Sequence, residues 1–248
     1  GITLDESFNV QMGVYLVESL KSYRLGILDP QSAQEVFGNP AYNPDHPPLG
    51  RLWLGVFHEI SRSVAPVDSG DNPFVTIHAR AGSAFAFALT AFLVGVFAAR
   101  HWGSLAGVTS SVSLAVMPRL SGHAHLASLE TFMGLTWTVA ILGTIHLWAR
   151  RDESTSHDAS PSDSNVALKS EPPGDKAAIL CGLFIGLALL TKMQAVLLPP
   201  LLTVWAFWHW RLSAFRPLAV SGITTAIVFV VGWPWLWPDL PGHLTEYF

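Results

Sequence analysis

Between Arg80 and Arg150 the chain carries a single acid, Glu130, and between Ala177 and Pro238 it carries none. A stretch that withholds acids for so long crosses a bilayer or fills a helical bundle, because a crossing takes about 20 apolar residues and offers no water to a carboxylate. Five runs fit, roughly 79–99, 104–118, 129–149, 177–191 and 194–210, with a sixth at 218–237. The expected fold is therefore all-α, a polytopic transmembrane bundle of five to six helices over residues 79–248. Half of the 248 residues are hydrophobic and mean hydropathy is +0.37, more than a soluble domain needs. Residues 150–176, RRDESTSHDASPSDSNVALKSEPPGDK, have too few apolar side chains to fold alone and read as a polar loop.

The same counts exclude several functions. A net charge of -4 leaves no basic surface for nucleic acid, and the single Cys181 permits neither a disulfide framework nor a thiolate zinc site. No grouping of acids or histidines demands a metal, and no cofactor is implied. The start at Gly1 and the ending HLTEYF read as those of a piece of a longer protein.

Orientation follows from the loop cations. Arg100, Arg150, Arg151, Lys169, Lys176, Arg211 and Arg216 fall on one side of successive spans, whereas Arg119 and Lys192 fall on the other. The seven mark the cytoplasmic face. Residues 1–78, which hold nine of the eighteen acids, then lie outside together with the stretch from Pro118 to Ser128.

Within that outer segment two stretches have helical period. In SFNVQMGVYLVESLKSY the apolar positions are Phe8, Met12, Tyr15, Leu16 and Leu20. In PPLGRLWLGVFHEISRSVA they are Leu49, Leu52, Trp53, Val56, Phe57, Ile60 and Val64. Both are expected to lie along the membrane surface, apolar face down; ordinary amphipathic helices packed on an outer domain are the alternative. Pro47 and Pro48 suit a helix start and hold His46 extended. The runs at 104–118 and 177–191 are too short to span, since fifteen residues cover about 22 Å of a roughly 30 Å core. Both end outward at a cation, Arg119 and Lys192, which implies an outward-opening cavity with Asp5 and Glu6 at its rim. Snorkelling anchors are the plainer reading of those cations. Glu130, a lone acid heading a span, needs a partner, and Arg119 or His125 is the expected one. Trp233, Trp235 and Trp237 read as an aromatic belt, and His58, His101, His146, His157 and His209 as interface residues.

Four motifs now stand in order: the Asp5-Glu6 pair, NPDHPPLGRL, MPRLSGHAHLASLET and GLFIGLALLTKMQAVLLPP. In that order the chain resembles the polyprenyl-phosphate-sugar-dependent glycosyltransferases of the GT-C superfamily. It is most similar to the branch of dolichyl-phosphate-mannose protein mannosyltransferases and lipid A aminoarabinose transferases, glycosyltransferase family 39-like. The resemblance implies that Asp5 is the catalytic carboxylate, with Glu6 its neighbour in the motif. It implies contacts to the lipid phosphate or sugar from His46, Arg51, Arg119, His125, Glu130 and Lys192. Arg51 stands where such proteins often have Lys, and Glu130 where many have Asp; both keep the charge, though an Arg fork is not a Lys point charge. His123 and His125 match a His-containing stretch of part of the family. Implied partners are a polyprenyl-phosphate-linked sugar, an acceptor hydroxyl on protein, lipid or glycan, and the bilayer, with no metal.

The chemistry asked of such residues is modest. A sugar on a lipid phosphate is already activated, so transfer needs a base for the acceptor hydroxyl and positive charge for the departing phosphate. Attack opposite the leaving group inverts the anomeric carbon. Glu6 beside Asp5 is expected to raise one of the two pKa values by like-charge repulsion. Taken alone, the pair suits a solvated first turn of the helix at 7–25 better. The alternative function is a transporter or lipid carrier with an outward-facing basic cavity, although the internal repeats usual in transporters are not visible.

Overall fold

The computed structural model describes residues 4–67, 75–148 and 171–247, and every element among them is helical. The outer segment supplies α1 (Leu4–Tyr23), α2 (Pro30–Phe37) and α3 (Pro48–Val64). The apolar remainder supplies α4 (Thr76–Trp102), α5 (Ser104–Ala115), α6 (Pro118–Ala124), α7 (Leu129–Trp148), α8 (Asp175–Thr191), α9 (Leu198–Trp210), α10 (Phe215–Gly232) and α11 (Leu240–Tyr247). Three segments are long and apolar enough to cross a membrane: Thr76–Trp102, Leu129–Trp148 and the run Met193–Gly232. They mark a membrane protein. The last run holds two helices, because the chain breaks at Arg211, whose φ of 51° no helix continues through.

Direction alternates along the chain. Helices α4 and α7 run parallel, with Ser83 bonded to Ser128 near their starts and Trp53 of α3 stacked on Phe132 at 4.4 Å. Between them in sequence, α5 returns along α4, where Gly95 and Gly107 let the backbones close and Ser111 Oγ donates to the Ala91 carbonyl at 2.9 Å. The expected run 104–118 is this one helix, α5, which ends at Ala115 before α6 starts at Pro118. Helices α8 and α10 lie side by side in parallel: a Cβ on Gly182 would come within 2.4 Å of the Ser221 carbonyl oxygen, and one on Gly186 within 2.7 Å of Val228. Thr225 Oγ1 donates to the Gly182 carbonyl at 3.1 Å across this contact. Small residues four apart let helices meet where lipid supplies no hydrophobic drive.

One end of this bundle carries α1, the start of α3, α6 and the end of α8. The other gathers Arg100, Lys176, Arg211 and Arg216, with Trp148, Trp205 and Trp210 in ring contact and Arg216 reaching Asp175 at 2.7 Å.

Two expectations change. Helices α1 and α3 pack on each other through Gly13 and Gly55, whose added Cβ atoms would sit 2.3 and 2.1 Å from the facing backbone. What α3 buries is a strip of small and polar residues, Pro48, Gly50, Arg51, Leu54, Gly55 and His58, while Val56, Ile60 and Val64 of the expected apolar stripe stay exposed. Trp233 is no belt residue either; it is fully buried and donates Nε1–H to the Tyr42 hydroxyl at 3.1 Å. The polar stretch from 150 to 170 lies outside the described residues, and α8 begins at Asp175.

Candidate functional site

Four helix ends and one rigid corner converge on a hollow of about 320 Å³. Helix α1 brings Asp5, Glu6 and Asn9; the 43–47 corner brings Asp45 and His46; α6 brings His123; α7 brings Glu130 behind its cap Ser128; and Lys192 follows α8. Each charge sits at a helix end that favours it, since acids gain at an N-terminus and cations at a C-terminus. Lys192 takes an extended backbone, φ -161° and ψ 143°, which ends α8 at the hollow.

The neighbours Asp5 and Glu6 part company at once, because successive helical residues point about 100° apart. Glu6 is 2% exposed; Arg80 Nε and Nη2 donate to its two oxygens at 2.7 and 3.1 Å, and the Ala127 N–H donates at 2.9 Å. It fastens α1 to α4 and to the α6–α7 turn. Asp5 is exposed on the hollow's side, and no ion pair among the described residues engages it. The like-charge repulsion expected between the neighbours is compensated at Glu6 by Arg80. Nor is the pair a solvated turn, because Glu6 is buried.

Arg51 lies behind the wall. Its side chain is fully buried, its Nε donates to Asn9 Oδ1 at 3.1 Å, Nη1 to the Asn43 carbonyl at 2.6 Å and Nη2 to Asp45 Oδ1 at 2.5 Å, and its guanidinium sits over the Phe8 ring. A buried guanidinium needs such a full set of acceptors, and here they lock the corner against α1. Glu130 is bonded to Lys192, not to Arg119 or His125. Those two are exposed on or just after α6 and do not line the hollow; Arg119 stands one turn before His123 on the same side of that helix. His46 is pushed below the ordinary histidine range by burial, against the pull of Asp45, so it is neutral at pH 7.

The structure therefore brings together Asp5, Glu6, His46, Glu130 and Lys192 of the expected set and leaves Arg51, Arg119 and His125 out of the lining. It adds Asn9, Asp45 and His123. Asp45 was readable, as a carboxylate in the NPDHPPLGR corner; Arg80 was not, because nothing local ties it to Glu6 across 74 residues. The hollow is also not basic. Four carboxylates, those of Asp5, Glu6, Asp45 and Glu130, meet three cations, Lys192 in the lining and Arg51 and Arg80 behind it, which leaves Asp5 in excess.

No metal-competent group of three or more His, Cys, Asp or Glu exists among the described residues. Carboxylates that are each matched by a cation hold shape, while an unmatched one at the rim of a hollow is available for proton transfer. Set against known proteins, the chain matches no family model, no curated sequence and no solved structure.

Proposed function

We propose that this chain carries the active site of a multi-pass membrane glycosyltransferase, which moves a sugar from a polyprenyl-phosphate donor to an acceptor hydroxyl with inversion. The observation that carries the reading is Asp5: the carboxylate in the hollow that no cation among the described residues pairs with, in the same lining as Lys192. Asp5 takes the acceptor proton as the hydroxyl attacks the anomeric carbon. The bond from that carbon to the phosphate oxygen breaks, and Lys192 exchanges Glu130 for the departing phosphate, with neutral His46 as a hydrogen-bond donor beside it. Glu6, Arg80 and Arg51 act as positioning residues that hold α1 and the corner in place.

A second hollow at the same end suits the lipid. It holds about 220 Å³, its lining is apolar, and it is bordered by Leu16, Leu20, Leu49, Leu52, Leu190 and Val231. Leu49 and Leu190 stand three and two residues from His46 and Lys192, so an isoprenyl chain entering there delivers its phosphate to the charged hollow. The cations Arg100, Lys176, Arg211 and Arg216 at the far end support a reading with that end in the cytoplasm and the site outside.

The test is transfer of labelled mannose from undecaprenyl phosphate mannose by the full-length protein in membranes. Asp5→Asn is expected to lower the rate by about 10²- to 10⁴-fold, the usual worth of a positioned base, with donor binding kept. An Asn variant that folds and transfers at the wild-type rate overturns the assignment. Donor bound by wild type but never consumed makes the chain a carrier.

A further inference from the structure

Far from Asp5 there is a second kind of cleft. It opens between α4 and α7, is backed by Phe184 of α8, and is walled by Leu93, Val96, Phe97, Val139 and Leu142. Its volume is about 240 Å³. Sites that enclose a whole small molecule run to roughly 300–1,000 Å³, so this slot suits part of a longer, thinner ligand.

One end of the slot is cationic. Arg100, His101 and His146 line it and no acid does. Along the sequence from Arg80 to Arg150 the one acid is Glu130, at the opposite end of α7. Among the described residues Arg100 has no ion pair. His101 donates its Nδ1–H to the Phe97 carbonyl at 2.8 Å and stacks on the Phe97 ring at 4.1 Å, which fixes the imidazole beside Arg100 and leaves Nε2 for another partner. Helices α4 and α7 are two of the three segments fit to cross a membrane. An apolar slot between spans, closed by an Arg100 that no acid among the described residues pairs with, is complementary to a lipid with an anionic headgroup.

We infer that this cleft binds an anionic bilayer phospholipid, one acyl chain along Val96, Val139 and Leu142 and the phosphate on Arg100 between His101 and His146. The site is independent of the proposed transfer reaction, since none of its residues lines the hollow at Asp5.

Native mass spectrometry of the full chain in detergent tests it, with palmitoyl-oleoyl phosphatidylglycerol, the matching phosphatidylcholine, or undecaprenyl phosphate added in separate arms. The expected result is a preference for phosphatidylglycerol over phosphatidylcholine of about five- to tenfold, the worth of one guanidinium facing a headgroup of net negative charge, which phosphatidylcholine lacks because its choline cancels the phosphate. Arg100→Gln removes that preference, and Val96→Trp, which fills the slot and keeps the charge, removes retention of both lipids. Lys176→Gln, an exposed cation at the same end but outside the cleft, leaves the preference intact. A preference that survives Arg100→Gln, or is lost equally in Lys176→Gln, overturns the inference. Retention of undecaprenyl phosphate alone overturns the choice of a bilayer lipid.

Discussion

At the end that holds Asp5, charges meet across elements with one partner of each pair out of water: the Glu6, Arg51 and Lys192 side chains are 1%, 0% and 13% exposed, and those of Arg80, Asp45 and Glu130 31%, 45% and 38%. At the opposite end Arg216 and Asp175 also pair, but their side chains are 79% and 49% exposed. Between the two ends the helices touch through glycines, alanines and threonines with hardly a charge. One fold thus uses two kinds of adhesive: a polar network that positions the candidate site, and small-residue packing that holds the bundle. An acid in the first kind is structural even though it lies next to a candidate catalytic acid.

The strongest way to break this contrast is Glu6→Ala. It strands Arg80 and the Ala127 N–H, and removing one partner of a buried pair costs about 3–5 kcal/mol. Unfolding in detergent is expected to show that loss, whereas Asp5→Asn, one residue away, leaves stability within about 0.5 kcal/mol as an exposed change does. Equal losses at the two positions would dissolve the distinction between a structural and a free carboxylate.

Next in size is Gly182→Val. Its Cβ meets the Ser221 backbone oxygen, which cannot step aside as a flexible side chain could, so α8 and α10 must part at a cost of about 1–3 kcal/mol. Gly134→Val is the control, because a Cβ there meets nothing within 4 Å. If both changes cost the same, close helix approach is not what holds the bundle.

These two positions also separate what was legible in the sequence from what was not. The long apolar helices were legible: 129–149 is Leu129–Trp148 and 177–191 is Asp175–Thr191, because withheld charge is a local signal. So was the corner at Pro47 and Pro48, where proline dictates the helix start. Helix α2 went unread although Asp29 and Pro30 spell its cap and first turn. The Gly182 and Gly186 pair was also written in plain view within GLFIG. The packed face of α3 went unread for a physical reason: period finds the greasy stripe, whereas close packing on α1 and α4 uses the small and polar strip. Of the site, the meeting of Asp5 and Glu6 with Lys192 followed from topology. The Glu6–Arg80 and Glu130–Lys192 pairs, 74 and 62 residues apart, did not, since no local pattern encodes a partner at that separation.

Acid sharpens the contrast further. His58 is fully buried in α3, where its Nε2 accepts the Val75 N–H at 3.1 Å, so charging it must break that bond at the start of α4. Burial pushes its pKa below the ordinary value, with the hydrogen bond and charge of Glu59 opposing and His78 and Arg62 adding to the depression. A group whose folded pKa is depressed favours the folded state above the unfolded value of about 6.5. That contribution is lost as pH falls from there toward the lower folded pKa, and His46 acts with the same sign. Melting temperature is expected to drop between pH 7 and 5.5, with a shallower slope in His58→Gln; an unchanged slope removes His58 from the explanation.

The smallest effect is expected at the far end. Arg216→Gln breaks the ion pair with Asp175 at the junction of α8 and α10, yet both groups are mostly in water, where such pairs are worth about 0–1 kcal/mol and fade with salt. The ends of α8 and α10 stay together regardless, because Gly182, Ser221 and Thr225 already fix the helices against each other within about three turns of that end. A shift in melting temperature that is barely resolved, and absent in about 0.5 M salt, fits surface screening with a Debye length of only a few ångströms. A loss approaching that of Glu6→Ala would mean that charge holds both ends alike, and the division between a charge-built site and a packed bundle would have to be redrawn at Asp175.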